Sequence, residues 1–309
     1  MILAGVDEAG LGPRIGPLTT ASSAFVVPDD WEPDTPWSAF RDAVADAPGK
    51  KETRPAILDS KIAYAAGGMR SLELALGAMT WARDRSFSFD CVFSEGVSHP
   101  CYGRTLSPFP CHAEESALRL AGDALCSALV RENAKAAHMQ ARVLFEPVLN
   151  HRYDSGLNKN QALLMETGAH LSRLAECFPE ERMLVVVDKQ GGRNDYLPFL
   201  TGLFPGAWID SLSVGADDSS YRMRRRGADV VFRFVPKGDR VSFPTALASL
   251  AAKYVRERCM AELNAWFCAE VEGLRPTAGY PVDANRWLDE VRAGGRAEEL
   301  GIGLLVRSR

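Results

Sequence analysis

Four carboxylates constrain what this chain of 309 residues can fold into more than any other feature, because each stands at the end of a short apolar run. Asp7 and Glu8 follow Ile2 to Val6, Asp188 follows Met183 to Val187, and Asp239 follows Asp229 to Val235 and the turn Pro236-Lys237-Gly238. Such runs read as β-strands. A twisted sheet that aligned them would gather all four acids at one edge of its strand ends. Carboxylates held within a few ångströms repel and raise one another's pKa, whereas Mg2+ or Mn2+, which prefer oxygen ligands, relieve the repulsion and keep them ionised. Two such ions roughly 3.5 to 4 Å apart activate a water and stabilise the leaving oxygen of a phosphodiester, with no nucleophilic side chain required. Taken singly, each acid reads as a solvated turn residue. Their order and local sequence favour the collective reading.

The remaining chain alternates between the two kinds of secondary structure. Leu18 to Val27 is a second strand, joined to the first by Gly10-Leu11-Gly12-Pro13-Arg14-Ile15-Gly16-Pro17, whose glycines and prolines exclude a helix. Asp29 to Pro55 is irregular, Asp59-Ser60-Lys61 offers cap residues for a helix running to about Arg83, and Phe87 to Phe93 alternates as a strand. From Glu95 to about Gly156 the character changes: a loop from Pro100 to Pro110 precedes Ala-, Leu- and Arg-rich helical sequence from His112 to His138, which reads as a helical insertion. Leu157 to Cys177, Tyr196 to Leu203, Thr245 to Val271 and Val282 to Val291 read as helices, and Ala207 to Val214 as a strand. The pattern predicts an α/β fold: a mixed β-sheet flanked by helices, with the insertion at about 95–156 and a C-terminal helical extension. The expected division is a catalytic domain over 1–260 and a helical region over 261–309 that completes a substrate cleft. There is no internal repeat.

Composition narrows the class. With 46% apolar and 25% charged residues the chain is an ordinary globular protein. No apolar run reaches the roughly 18 residues that span a bilayer, and Asp7-Glu8 comes too early for a signal peptide, so a cytoplasmic protein with no membrane partner is expected. Seven cysteines without a C-x-x-C pair indicate neither a disulfide framework nor a thiolate zinc site. The net charge of −4 is unevenly placed, for ten Arg or Lys against three acids lie between Arg222 and Arg258. That segment suits phosphates, although the run Arg224-Arg225-Arg226 reads more simply as a solvated loop or a partner for acids elsewhere.

Five stretches in fixed order carry a family resemblance: Gly5-Val6-Asp7-Glu8-Ala9-Gly10-Leu11-Gly12-Pro13-Arg14-Ile15-Gly16-Pro17; Leu58-Asp59-Ser60-Lys61; Val185-Val186-Val187-Asp188; Lys237-Gly238-Asp239 with Ala248-Ser249-Leu250-Ala251-Ala252-Lys253; and Ala278-Gly279-Tyr280-Pro281-Val282-Asp283. Together they resemble type 2 ribonucleases H, the ribonuclease HII family, in particular its archaeal and eukaryotic-like branch. The resemblance implies a ribonuclease H-like fold, with Asp7, Glu8, Asp188 and Asp239 as catalytic ligands of two Mg2+ or Mn2+ ions. It implies cleavage of the RNA strand of RNA–DNA hybrids, or 5′ to a ribonucleotide embedded in duplex DNA, leaving a 3′-hydroxyl and a 5′-phosphate. A monomer is the expectation it carries.

The same resemblance supplies substrate contacts. Gly10, Leu11 and Gly12 occupy the place of the family's Gly-Arg-Gly loop, whose backbone lies against the 2′-hydroxyl of the target ribonucleotide, the group that separates RNA from DNA. Leu11 departs from that pattern and removes a guanidinium from phosphate anchoring. Tyr280 matches the tyrosine that stacks on the neighbouring sugar, and Ser60, Lys61, Lys237 and Lys253 are expected to bind substrate, the lysines at its phosphates. Arg256-Glu257 reads as a structural ion pair, and an exposed Arg14 as solvated.

Other motifs fail. The glycine spacing at Gly10, Gly12 and Gly16 is not that of a dinucleotide loop, no phosphate-binding Gly-Lys-Ser/Thr loop occurs, and the five histidines lack ligand spacing, so His138 and His170 read as packing or surface residues. Two rival readings stand beside the nuclease. One is a ribonuclease H-like nuclease of different specificity, prompted by Leu11 and the 95–156 segment. The other is a catalytically weak hybrid-binding or scaffolding protein, which would bind in chelator without turnover.

Overall fold

β1 (Ile2–Ala9) and β2 (Leu18–Val26) form an antiparallel pair registered from Ile2 against Val26 to Ala9 against Thr19, closed by the glycine- and proline-rich loop. The structure, a computed structural model, describes residues 1–47, 52–88, 90–96, 98–102, 109–225 and 227–308. Parts of the expected segments therefore lie outside the described residues: 48–51 of the irregular stretch, 89 of the Phe87 to Phe93 strand, 97 of the 95–156 segment and 103–108 of its proline loop, Arg226 of the basic run, and 309 of the C-terminal region.

In chain order follow α1 (Thr35–Ala39), α2 (Ser60–Asp84), β3 (Asp90–Phe93), α3 (Glu115–Arg131), β4 (Lys135–Leu144), α4 (Glu146–Asp154), α5 (Lys159–Cys177), β5 (Met183–Asp188), α6 (Leu197–Leu203), β6 (Trp208–Val214), β7 (Ser219–Arg224), β8 (Val230–Val235), α7 (Phe243–Glu270) and α8 (Pro281–Ala293). The strands make one mixed sheet in the order β3-β4-β2-β1-β5-β8-β7-β6. Its centre is parallel, β1 to β5 and β5 to β8, while β2 runs antiparallel to both β1 and β4. Helices cover both faces, as the mixed α/β expectation requires.

Two departures from the sequence reading are informative. The helix expected from His112 to His138 ends at Arg131, and residues 135–144 instead form β4, which sits between β3 and β2 in the sheet. The chain turns at Asn133, whose φ of 51° is left-handed, with Asn133 N–H donating to Val130 O (3.2 Å) and Ala134 N–H to Leu129 O (2.8 Å). This is a Schellman ending. The segment read as a helical insertion thus contributes a strand to the sheet. Part of the basic run is also strand: Arg222 and Arg224 lie in β7, which pairs with both β6 and β8.

β1 divides the core. Leu3 faces the α2, α3 and α7 side, and Ile2, Ala4 and Val6 face the α5 and α6 side, as period-two alternation dictates. α7 lies close against the sheet because Gly5 has no side chain; a β-carbon there would stand 2.1 Å from Thr245 N. Three hydroxyls lock that contact, Ser23 to Pro244 O (2.8 Å), Thr245 to Val186 O (3.0 Å) and Thr19 to Ala252 O (2.9 Å). The lock sets α7 beside the strand ends.

On the α5 face Ser22 Oγ lies 2.9 Å from both His138 Nε2 and His170 Nδ1, and His170 Nε2 lies 3.0 Å from Thr20 Oγ1. Burial pulls His138 to about 4 and His170 to about 3, so both rings are neutral packing groups. Among the described residues no helix is long and apolar enough to cross a membrane.

Candidate metal centre

Parallel neighbours in register end together, and this builds the site. Val6 stands against Val187 and Asp188 against Val235, so Asp7 and Glu8 at the end of β1 meet Asp188 at the end of β5. One oxygen from each of Asp7, Glu8 and Asp188 lies within 4.8 Å of the other two. Asp239 does not join that close group. It sits on a short turn beyond β8, Gly238–Arg240, near enough to Asp188 and Glu8 to raise their charge repulsion.

Burial and mutual repulsion dominate the electrostatics. Burial pushes the Asp7 carboxyl well above the usual carboxylate range, with Glu8 and Asp188 adding to the rise, against hydrogen bonds from the Ser249 hydroxyl and from Glu8 N–H at 2.7 Å. Glu8 is pushed up to about 7 by burial and by Asp188, with Lys61 opposing. Burial also raises Asp188, although the backbone N–H groups of Gly238 (2.7 Å), Lys189 and Lys237 donate to it. Asp239 is pushed up to about 6 by burial, Asp59 and Asp188. Lys61, exposed on the first turn of α2, is the cation that acts on Glu8, Asp188 and Asp239 alike. Hard oxygen donors, an excess of negative charge and one nearby ammonium are the donor chemistry that Mg2+ or Mn2+ requires. Asp7, Glu8 and Asp188 stand close enough together that they could hold a metal ion.

Neighbouring elements orient the acids. Asp59 caps α2 by accepting from Lys61 N–H at 3.0 Å, and the Ser60 hydroxyl beside it lies 3.0 Å from Ser249 Oγ on α7, which also bonds Asp7. Gly238 packs closely there, for a β-carbon would stand 3.3 Å from the Asp188 backbone and 3.1 Å from Thr245 Cγ2. A cavity of about 830 Å³ opens beside Asp239 and Asp59, bounded by Trp37, Ile62 and Arg240.

The expected substrate residues are dispersed around this centre. Lys237 is exposed in a left-handed turn with φ 56°. Lys253 is half-buried, bonded to Glu257 at 2.7 Å and held over the Tyr64 ring at 4.7 Å, so its charge is already partnered. Arg256 pairs weakly with Glu257 (3.4 Å) and donates to Ala278 O (2.9 Å), which makes it structural. Tyr280, 48% exposed as a residue, opens α8 with its ring 5.7 Å from the Arg256 guanidinium, and a β-carbon on Gly12 would lie 3.9 Å from that ring. Leu11 turns its side chain to the small core of Leu18, Leu144, Leu149 and Tyr153. Arg14 bonds Asn285 instead of standing free. The basic segment does not form one open stripe: Arg222 pairs with Asp229, Arg224 with Asp210, Arg233 with Asp218 and Arg240 with Asp59.

Sequence reasoning passed over Ser249 and Asp59 as individuals, although both lie within quoted motifs, and it gave no role to Arg307, which reaches the Gly10 loop. A hydroxyl one helical turn before Lys253 was a usable signal for Ser249, since residues four apart share a helix face. Arg307 left no local signal.

No protein-family model and no curated protein matches the chain. Among solved structures it is similar to ribonuclease HII of Archaeoglobus fulgidus, determined in complex with PCNA: 18% identity, covering 100% of this chain and 95% of that one, with a TM-score of 0.46. It is similar to ribonuclease H2 of Pyrococcus horikoshii OT3, at 16% identity over 99% of this chain and 92% of that one, with a TM-score of 0.45. It is also similar to Bst ribonuclease HIII in complex with Mn2+, at 16% identity over 97% of this chain and 64% of that one, with a TM-score of 0.43.

Proposed function

We propose that this protein is a metal-dependent endonuclease of the ribonuclease H type, acting on the RNA strand of RNA–DNA hybrids or at ribonucleotides embedded in duplex DNA. One observation carries the reading: three carboxylates from two adjacent strand ends converge within ligand distance of one another, and all three stay raised against the hydrogen bonds that reach Asp7 and Asp188 and the Lys61 charge that opposes the rise at Glu8 and Asp188. In this reading Asp7, Glu8 and Asp188 hold Mg2+ or Mn2+, and Asp239 completes the site from its turn as a second ion and the substrate approach. When bound, the ions supply an activated water and neutralise charge on the departing ribose 3′-oxygen. The chain's own groups do the remainder. Ser249 and Ser60 keep the Asp7 carboxylate oriented, Lys61 and the α2 N-terminus face the incoming phosphate, and Lys237 lies at the outer side of the same edge. Lys253 would contact phosphate only by exchanging its bond to Glu257.

The backbone of Gly10, Leu11 and Gly12 would meet the ribose, Tyr280 the adjoining sugar, and residues 261–309 would close the cleft on that side. Leu11, packed into an apolar cluster, offers no phosphate contact, and this favours a shifted substrate preference within the same reaction. The test is a divalent-metal titration of cleavage on three duplexes: DNA bearing one ribonucleotide, a full RNA–DNA hybrid, and all-DNA. Cutting that depends on Mg2+ or Mn2+, requires a ribonucleotide and leaves a 3′-hydroxyl is the expected result. Equal cutting of all-DNA would redirect the specificity, and binding in chelator with no turnover in any metal would favour the scaffolding alternative.

A further inference from the structure

The loop between β1 and β2 is held from beneath by a residue far away in sequence. Arg307 is 3% exposed, and its guanidinium is spent on that loop: Nη1 donates to Gly10 O at 2.6 Å, Nε to Gly16 O at 2.9 Å, and Nη2 also to Gly16 O. Its backbone joins in, since Arg307 N–H donates to Arg14 O at 2.9 Å and Val306 bridges Ile15. Asn150 tethers the same segment from the other side, Nδ2 to Val306 O (2.8 Å) and Ser308 N–H to Oδ1 (2.8 Å). Burying a guanidinium is costly unless every donor is used well, so the arrangement calls for more than loop closure.

Peptide geometry shows what it achieves. In a trans peptide the C=O of one residue and the N–H of the next point in opposite directions. Drawing Gly10 O onto Arg307 therefore turns Leu11 N–H away from it. Gly10 itself has φ 88°, and a β-carbon there would strike Arg256 at 2.6 Å, so this peptide plane is fixed on both sides. Among the described residues no acceptor pairs with the N–H of Leu11 or of Gly12, and Gly12 lies exposed beside Tyr280. With the Leu11 side chain packed against the small apolar cluster and Arg14 drawn to Asn285, the Gly10–Gly12 turn presents the Leu11 and Gly12 backbone donors.

We propose that Arg307 is a positioning residue for substrate recognition: it sets the peptide between Gly10 and Leu11 so that the Leu11 and Gly12 N–H groups face the sugar of the target ribonucleotide. The inference rests on the nuclease reading above. It assigns ribose discrimination to a fork of hydrogen bonds that a lysine cannot reproduce.

The test compares wild-type protein with Arg307→Lys on a DNA duplex bearing one ribonucleotide and on its all-DNA counterpart, reading single-turnover cleavage in Mg2+, duplex affinity in Ca2+, melting temperature and Mn2+ affinity. The expected result for Arg307→Lys is a loss of roughly 10²-fold in the single-turnover rate and of the affinity preference for the ribonucleotide duplex, with the affinity for the all-DNA duplex and for Mn2+ within about threefold of wild type. A purely structural role would lower the melting temperature and leave the preference intact, which overturns the proposal. If Arg307→Lys does not fold, Asn150→Ala loosens the same segment from its edge and should reduce the preference in the same direction; an undiminished preference there also overturns it. A wild type that neither cuts nor binds Mn2+ removes the nuclease reading and this inference together, whereas a wild type that cuts beside an equally discriminating Arg307→Lys removes this inference alone.

Discussion

Two groups of buried carboxylates in this molecule are built on opposite principles. Glu73 is fully buried on α2, and its two oxygens accept from Cys111 N–H (3.0 Å), the Cys111 thiol (3.1 Å), the Tyr254 hydroxyl (3.1 Å), His112 N–H (2.6 Å) and Ala113 N–H (2.7 Å). Burial alone would raise its pKa, but the donated hydrogen bonds outweigh it and hold the carboxyl below its usual value. Asp7 is buried, with Glu8 and Asp188 half-buried beside it; each is reached by fewer donors than Glu73, and all three are raised. Glu73, Cys111 and His112 also stand close enough to surround an ion, yet Glu73 has no oxygen left uncommitted and burial raises the Cys111 thiol, so that group is an anchor for the 111–113 turn. The contrast teaches that this fold can satisfy a buried carboxylate where structure demands it. At the strand ends the repulsion is kept, which is what a cation site needs and what stability alone would remove.

Breaking each side of this comparison has a different signature. The largest effect is expected for Asp188→Asn, which should lower Mn2+-dependent cutting of a hybrid by roughly 10³-fold while leaving the circular dichroism spectrum unchanged; retained cutting would remove Asp188 from the metal site. Next comes Glu73→Gln, which turns an amide toward bound N–H groups and should cost about 2 to 3 kcal/mol, seen as a fall of roughly 4 °C in Tm with no recovery on adding Mg2+. A metal-dependent recovery would make Glu73 a ligand after all.

The opposite sign is expected for Glu8→Gln. The Glu8 carboxyl, ordinarily near 4.5, is held at about 7 in the folded chain, so between those values the folded state binds more protons than the unfolded one and stability falls as pH rises. Removing the charge should therefore raise Tm in chelator. The gain should be near zero at pH 4.5 and grow through pH 7 to about 3 kcal/mol, and wild type alone should be stabilised when Mg2+ is restored. A variant that melts below wild type in chelator would show that repulsion is not stored there. The smallest effect is for Leu11→Arg. A cation added at the Gly10–Gly12 turn should steepen the salt dependence of duplex binding by about one unit, and an unchanged slope would place that side chain away from phosphates.

Legibility in the sequence followed the range of the interactions involved. Asp7, Glu8 and Asp188 were readable because an acid closing an apolar run is a local pattern, and parallel pairing of β1 with β5 then aligns the ends. Asp239 was readable as a strand-end acid, but the extra turn Pro236-Lys237-Gly238 sets it outside the close group, a distance that no pattern of residues fixes. β4 was hidden because it is largely buried on both faces and rich in alanine, so it shows no alternation and has helical propensity. Asn133 was the one local mark of the break. β7 does alternate, Tyr221 and Met223 inward against Arg222 and Arg224, yet the arginines gave it the look of a charge run. The Arg307 clamp spans 291 positions to Gly16, and only the folded chain brings those partners together.

The account stands or falls on whether the strand-end acids take up a hard divalent ion. Calorimetric titration of metal-free protein with Mn2+ at pH 7, repeated in buffers of different ionisation enthalpy, reads both binding and proton release. Binding to wild type with net proton release, as the raised carboxyls give up their protons, and loss of that binding in Asp188→Asn is the predicted result. Absence of binding, or binding that Asp188→Asn leaves unchanged, would contradict it.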